Sequence, residues 1–341
     1  MLQGHVFHSF LRTDLRDGGP YVLSQFAGGM PPAIFLFLTG VTLAFLMSSS
    51  ERKGLSALQK VWAVVRRSGY LFALAFAFRI QMWVFGGMQN PWTDLFKVDI
   101  LNSMGLAILV MSLLSVFRAR DRIRFGAISG IAIAAGAPVV SMIDWSWVPW
   151  MLRDYLVPSY SYFAFFPWAA FLAFGVSGGT ILRQLPHDNT DRAMQWTAIL
   201  GGALILSGQY FSNLPYSIYP NADFWLNSPG LIFIKLGVVL LIMAFAYLWS
   251  EYLAGEGWSW VRQFGTTSLL VYWVHTELVY GWWFYFWKEN LGTVQTVLAA
   301  IAVILVMLGL SLARTNWSRW RTATSGWNWS MAGSPRRVSG D

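Results

Sequence analysis

Residues 31–47 read PPAIFLFLTGVTLAFLM, and no Asp, Glu, Lys or Arg stands between Asp17 and Glu51. A run of this length without period-two alternation reads as a helix, and with its flanks it is long enough to cross a hydrocarbon core about 30 Å thick. Working outward, apolar runs of similar length recur at 68–88, 99–117, 125–143, 162–182, 194–211, 230–249, 264–286 and 293–313. Composition agrees: 56% of the 341 residues are hydrophobic and only 12% charged, about half the share usual in soluble domains. An ordinary soluble enzyme and a disordered chain are both excluded. The chain has no cysteine, so disulfides, thiolate nucleophiles and cysteine metal sites are excluded too. The expected fold class is all-α, a polytopic integral membrane helix bundle of about nine to ten transmembrane helices.

The net charge of +8 does not call for nucleic acid, because the positive residues cluster in short loops between apolar runs. One set of alternate loops holds Arg52, Lys53, Lys60, Arg66 and Arg67, then Arg118, Arg120, Arg122 and Arg124. With Arg183, Arg192, Arg262 and the five arginines after Ala313 it collects 17, against 6 on the opposite side. Positive residues concentrate on the cytoplasmic face. That face should therefore hold the first set and the C-terminus.

The N-terminus does not fit a complete span. Residues 1–10, MLQGHVFHSF, are too few to cross a bilayer. They read as the last turns of a helix that begins before Met1, as if the gene start had been assigned at an internal methionine. A signal peptide fits less well, since neither a basic n-region nor a small-residue cleavage site is present. The expected organisation is one transmembrane domain over 1–313, its first helix truncated, and a cytoplasmic basic tail over 314–341. One internal echo exists: PPAIFLFLTG and FPWAAFLAFG each place a glycine, Gly40 and Gly175, eight residues after a proline. It could mark a repeat, but proline and glycine are common in membrane helices and chance is the simpler account.

Ionisable groups inside spans cost roughly 2.5–3.5 kcal/mol at a helix centre, so each is a candidate for function. His5 and His8 share one face of the N-terminal stub near the outer interface. A neutral imidazole there suits a general base that takes a proton from an attacking hydroxyl or amine; two interfacial histidines that merely tolerate the boundary are the bland alternative. No metal site is expected, because no comparable ligand set accompanies them. His275 falls near mid-membrane in TTSLLVYWVHTELVYGWW. Glu277, two residues on, points elsewhere on a helix, so each should find a partner on another helix, in a structural or a catalytic role. Asp99 and Asn102 open a span as DILNSMG, where helix capping is the simpler account of Asp99. Arg79 either snorkels or binds an anion, and Lys235 snorkels more easily. His187 lies in a polar loop and needs no explanation. The aromatic clusters WSWVPW and WWFYFW suit interfacial belts, with a sugar-stacking platform as the alternative.

Four segments carry a family resemblance: MLQGHVF, PPAIFLFLTGVTLAF, FPWAAFLAFGVSGG and FGTTSLLVYWVHTELVYG. In this order they resemble bacterial membrane proteins related to heparan-alpha-glucosaminide N-acetyltransferase, within the wider acyltransferase-3 type. The resemblance implies a bundle of about ten helices that passes an acyl group from cytoplasmic acyl-CoA, a co-substrate rather than a bound cofactor, to a glycan or other acceptor beyond the bilayer. It implies that a histidine near the outer end of the first helix is catalytic, which carries over to His5. The chain departs from the pattern in lacking the Arg-Gly opening of that helix and any histidine between Leu11 and Met30.

The resulting expectation is an integral membrane acyltransferase. His5 would be its base, Asp99 and Asn102 would orient the acceptor or the base, and Arg79 with His275 would hold or polarise the donor. Glu277 and His8 would contribute to substrate binding. Its partners would be acyl-CoA, an envelope glycan or similar acceptor, and the lipid bilayer, with no nucleic acid. The rival is a transporter or flippase whose translocation path the same polar residues line.

Overall fold

The structure, a computed structural model, describes residues 1–330 apart from Gln89, Ala254 and Glu256, without the side chains of His187 and of 318–330. The expected solvated role of His187 and most of the expected basic tail therefore lie outside the described residues. Among the described residues the chain is helical, and the only strand-like pairing is a single parallel bridge between Leu11 and Leu291. The helices fall into two compact units, Gly29–Ala254 and a terminal unit of Met1–Gly28 with Gly255–Asp341.

The middle unit contains α3 (Met30–Arg52), α4 (Ala57–Phe85), α5 (Ile100–Met111), α6 (Ala119–Met142), α7 (Trp150–Leu156), α8 (Phe165–Gln184), α9 (Thr190–Ser212) and α10 (Pro229–Leu248). Local sequence sets the ends. Ser56 and Gln59 form a reciprocal capping box at the start of α4, and the Asp99 carboxylate accepts from Leu101 N and Asn102 N at the start of α5. Both satisfy amides that a helix N-terminus leaves unpaired.

Lipid supplies no hydrophobic drive between apolar helices, so they associate where small residues let backbones approach. At the centre of the middle unit α3 packs parallel to α8 with Gly40 against Gly175. A Cβ at Gly40 would lie 2.8 Å from Gly175 Cα and would collide with Leu172 O. The echo in the sequence thus marks one helix crossing, in which each glycine makes room for the other. Antiparallel α9 and α10 meet the same way at Gly201 and Gly237. Outward faces carry exposed apolar side chains such as Leu38, Ile80, Ile131 and Leu206, as a lipid-facing perimeter requires.

In the terminal unit, α1 (Leu2–Phe10) and α2 (Gly19–Gly28) join α11 (Trp260–Thr266), α12 (Ser268–Tyr280) and α13 (Thr293–Ser330). Val6 and Phe10 are fully buried against Val271, Val279, Val303 and Met307. Phe10 also meets Phe284 and Trp287 edge-on. Past α1 the backbone pairs with the loop before α13, through Glu289 N to Ser9 O, Leu291 N to Phe10 O and Arg12 N to Leu291 O.

Six helices among the described residues are long and apolar enough to cross a membrane: Gly19–Arg52, Ala57–Phe85, Ala119–Met142, Phe165–Gln184, Pro229–Leu253 and Thr293–Trp317. This establishes a polytopic helical membrane protein and falls short of nine to ten spans. Three expected spans account for the difference. The run at 99–117 is helical but short, Ile100–Val116. The run at 194–211 is a full helix whose apolar content is diluted by Gln195, Thr197, Ser207 and Gln209. The run at 264–286 is interrupted at Thr267 and ends at Tyr280. There Gln263 Nε2 donates to Ser311 O and Thr315 Oγ1, and Thr267 Oγ1 pairs with Ser311 Oγ. Those bonds tie the interruption to α13.

Candidate active site

The residues singled out from sequence separate into two clusters, each inside one unit. In the terminal unit α1 runs parallel to α12 and Ser9 Oγ donates to Val279 O. That register sets His5, one turn earlier on α1, opposite His275, one turn earlier on α12. His5 Nδ1 lies 2.9 Å from His275 Nε2. The ring planes are 19° apart with centroids at 5.0 Å, a separation that one bond plus two ring radii accounts for, so the rings meet end to end and nearly coplanar. His275 is fully buried and its Nδ1 lies 2.5 Å from Val271 O, one turn back on its own helix. The partner expected for His275 on another helix is thus His5.

Tyr280, which the sequence reading passed over, sits against both N-terminal histidines. Its ring is 5.3 Å from that of His5 and 5.9 Å from that of His8, and its hydroxyl is 3.3 Å from His8 Nδ1. No spacing rule would have found it, because it meets His5 only through the packing of α12 on α1. His8 is exposed, whereas Glu277 is buried two residues past His275. Both nitrogens of His275 face other partners, in line with Glu277 pointing elsewhere.

In the middle unit Arg79 on α4 pairs with Asp99 at the start of α5, Nε to Oδ2 at 3.4 Å. The expected cap at Asp99 is present, and the same carboxylate is also the counter-charge of Arg79. Asn102 and Ser103 are both fully buried. Neither amide atom of Asn102, nor Ser103 Oγ, has a hydrogen-bond partner among the described residues. Such atoms cost about 1–3 kcal/mol each when left unpaired, and each calls for a partner that the described residues do not supply. Beside them a cavity of about 480 Å³ is lined by Phe72, Leu106, Trp145, Trp147, Leu152 and Tyr155 among others. Burial and the Asp99 charge push the Tyr155 phenol up to about 12. WSWVPW, expected to be an interfacial belt, is in part a cavity wall. Lys235 does not snorkel: it is buried, with Nζ 5.0 Å above the Trp168 ring. Sequence reasoning also missed Arg122, counted as a loop charge but fully buried at the start of α6.

Helices long and apolar enough to cross a membrane, with a buried polar cluster inside each unit, one of them an imidazole pair, define a polytopic helical membrane protein. The family follows from comparison: the model described as heparan-alpha-glucosaminide N-acetyltransferase, catalytic, matches residues 6–214, and the chain belongs to that family. Membership points to a membrane acetyltransferase. Arg79, Asp99 and Asn102 fall inside the matched segment, and His5 and His275 outside it. No curated protein and no solved structure matches the chain.

Proposed function

We propose that the protein moves an acetyl group from acyl-CoA at the cytoplasmic face to a glycan hydroxyl or amine, or a similar acceptor, beyond the bilayer. In this reading α5, α9 and the α11–α12 pair cross the membrane with the six longer helices, the membrane is a bacterial inner membrane, and the C-terminus is cytoplasmic. The observation that carries it is the His5–His275 pair. One partner is fully buried and held by backbone, and the other is only half-buried, the arrangement of a base that faces a reactant.

His5 takes the proton of the acceptor O–H or N–H as the heteroatom attacks the thioester carbonyl. The new C–O or C–N bond forms, the C–S bond breaks, and the proton passes to the leaving thiolate. Arg79, Asp99, Asn102 and Ser103 present both donors and acceptors and serve binding rather than proton transfer, as Glu277 and His8 do in the terminal unit.

Because the chain has no cysteine, released CoA thiol can be read with a chromogenic disulfide without background from the protein. Purified protein in detergent should release thiol from acetyl-CoA only when an acceptor is added. No release with any hydroxyl or amine acceptor would sink this reading and leave the transporter as the better one.

A further inference from the structure

We propose that His275 is a positioning residue that fixes the tautomer of His5 through the Val271 carbonyl; the role rests on His5 being the base. A backbone carbonyl only accepts. With Val271 O at 2.5 Å, Nδ1 of His275 must carry the proton, and a neutral imidazole carries one. Its Nε2 is therefore an acceptor, and the group at 2.9 Å from it, His5 Nδ1, must be the donor. That leaves Nε2 of His5 without a proton.

A neutral histidine side chain in water favours the opposite arrangement, with the proton on Nε2. An isolated His5 would aim its lone pair into the helix interface and its N–H at the reactant. Pairing with His275 reverses this and turns the basic nitrogen away from the interface. Val271 and His275 are four residues apart on α12, so the carbonyl comes with the helix whatever side chain stands at 271. The near coplanarity of the rings and the Ser9 to Val279 bond hold the donor and acceptor in line. His275 is fully buried and both its nitrogens are engaged, so it acts through His5 rather than on a substrate.

The test is ¹⁵N NMR of histidine-labelled protein in detergent, with the His5 signals assigned from the spectrum of His5→Ala. In the wild type, His5 Nδ1 should show the shift of a protonated ring nitrogen and Nε2 that of an unprotonated one. His275→Gln, whose side-chain carbonyl can still accept from Nδ1–H, should keep that pattern and activity within about tenfold. His275→Phe should move the His5 proton to Nε2 and lose most of the 10²- to 10⁴-fold that a base contributes. A wild-type His5 protonated on Nε2, or a His5 tautomer unchanged in His275→Phe, overturns the proposal. The wild-type spectrum decides even if the phenylalanine variant fails to fold. Full activity in His5→Ala together with the expected tautomers would instead remove the base assignment and leave the tautomer relay standing.

Discussion

His5 Nδ1 and His275 Nε2 lie 2.9 Å apart although 270 residues separate them in the chain. Helix α1 is thereby tied into the terminal unit, with Val6 and Phe10 buried in its core and the residues at its end paired to the loop before α13. His5 is held in place by that tertiary packing, through Val6 and Phe10 on its own helix and the bond from Ser9 Oγ to Val279 O.

His5→Ala should lower acceptor-dependent CoA release by about 10²- to 10⁴-fold, while His8→Ala should cost less than tenfold. His8 is exposed, and among the described residues its hydrogen-bond contact is a long one to Tyr280. Steady-state rates of the two variants check this; a tolerant His5 beside a sensitive His8 would move the base by one turn.

At Asp99 capping and charge can be separated. Asp99→Asn keeps an oxygen for Leu101 N and Asn102 N but leaves Arg79 without its counter-charge. Breaking such a pair costs about 3–5 kcal/mol when buried, and the low end is expected because Arg79 keeps 18% side-chain exposure. Asp99→Ala should cost about 1 kcal/mol more through loss of the cap. Equal thermal shifts for the two variants would mean that the cap contributes nothing.

Gly40→Ala should destabilise by about 1–3 kcal/mol, as overpacking does, because the new Cβ meets backbone at Leu172 and Gly175. Gly69→Ala, with open space around its Cβ position, is the matched control on α4. Melting in detergent, followed by intrinsic fluorescence, compares them; equal midpoints would show that α3 and α8 can separate without cost.

Arg122 donates to Glu51 Oε2 at 3.1 Å and to Phe117 O at 2.9 Å. Arg122→Met keeps the apolar stem and loses the charged hydrogen bonds, worth about 1.5–3 kcal/mol each. Arg122→Lys should recover only part of this, since an ammonium cannot reproduce the fork of a guanidinium. Thermal midpoints ranked wild type, Lys, Met are expected, and a lysine variant as stable as wild type would contradict the role of the fork.

Topology can be read directly in this cysteine-free chain. Lys53→Cys, in the exposed turn after α3, should be shielded from a membrane-impermeant thiol reagent in intact cells, and Ser161→Cys should be labelled. Labelling of Lys53→Cys alone would reverse the orientation derived from the arginine distribution, and labelling of both would contradict the placement of the two positions on opposite faces.

What the sequence determined by itself was the solvent. Long charge-free runs such as 31–47 can satisfy their backbone only as helices in a bilayer, so the all-helical membrane class and most helix positions follow from hydropathy. The rarity of ionisable residues inside those runs likewise singled out His5, Arg79, Asp99 and His275. Tertiary structure decided which of them meet, because a side chain's partner depends on helix register and packing, and apolar composition is nearly uniform around these helices. It made His5 the partner of His275, joined the two roles of Asp99 in one carboxylate, buried Arg122, and turned the Gly40 and Gly175 echo into a contact. It also shortened the penultimate span, since the polar bonds of Gln263 and Thr267 to α13 exist only once α13 has packed beside them.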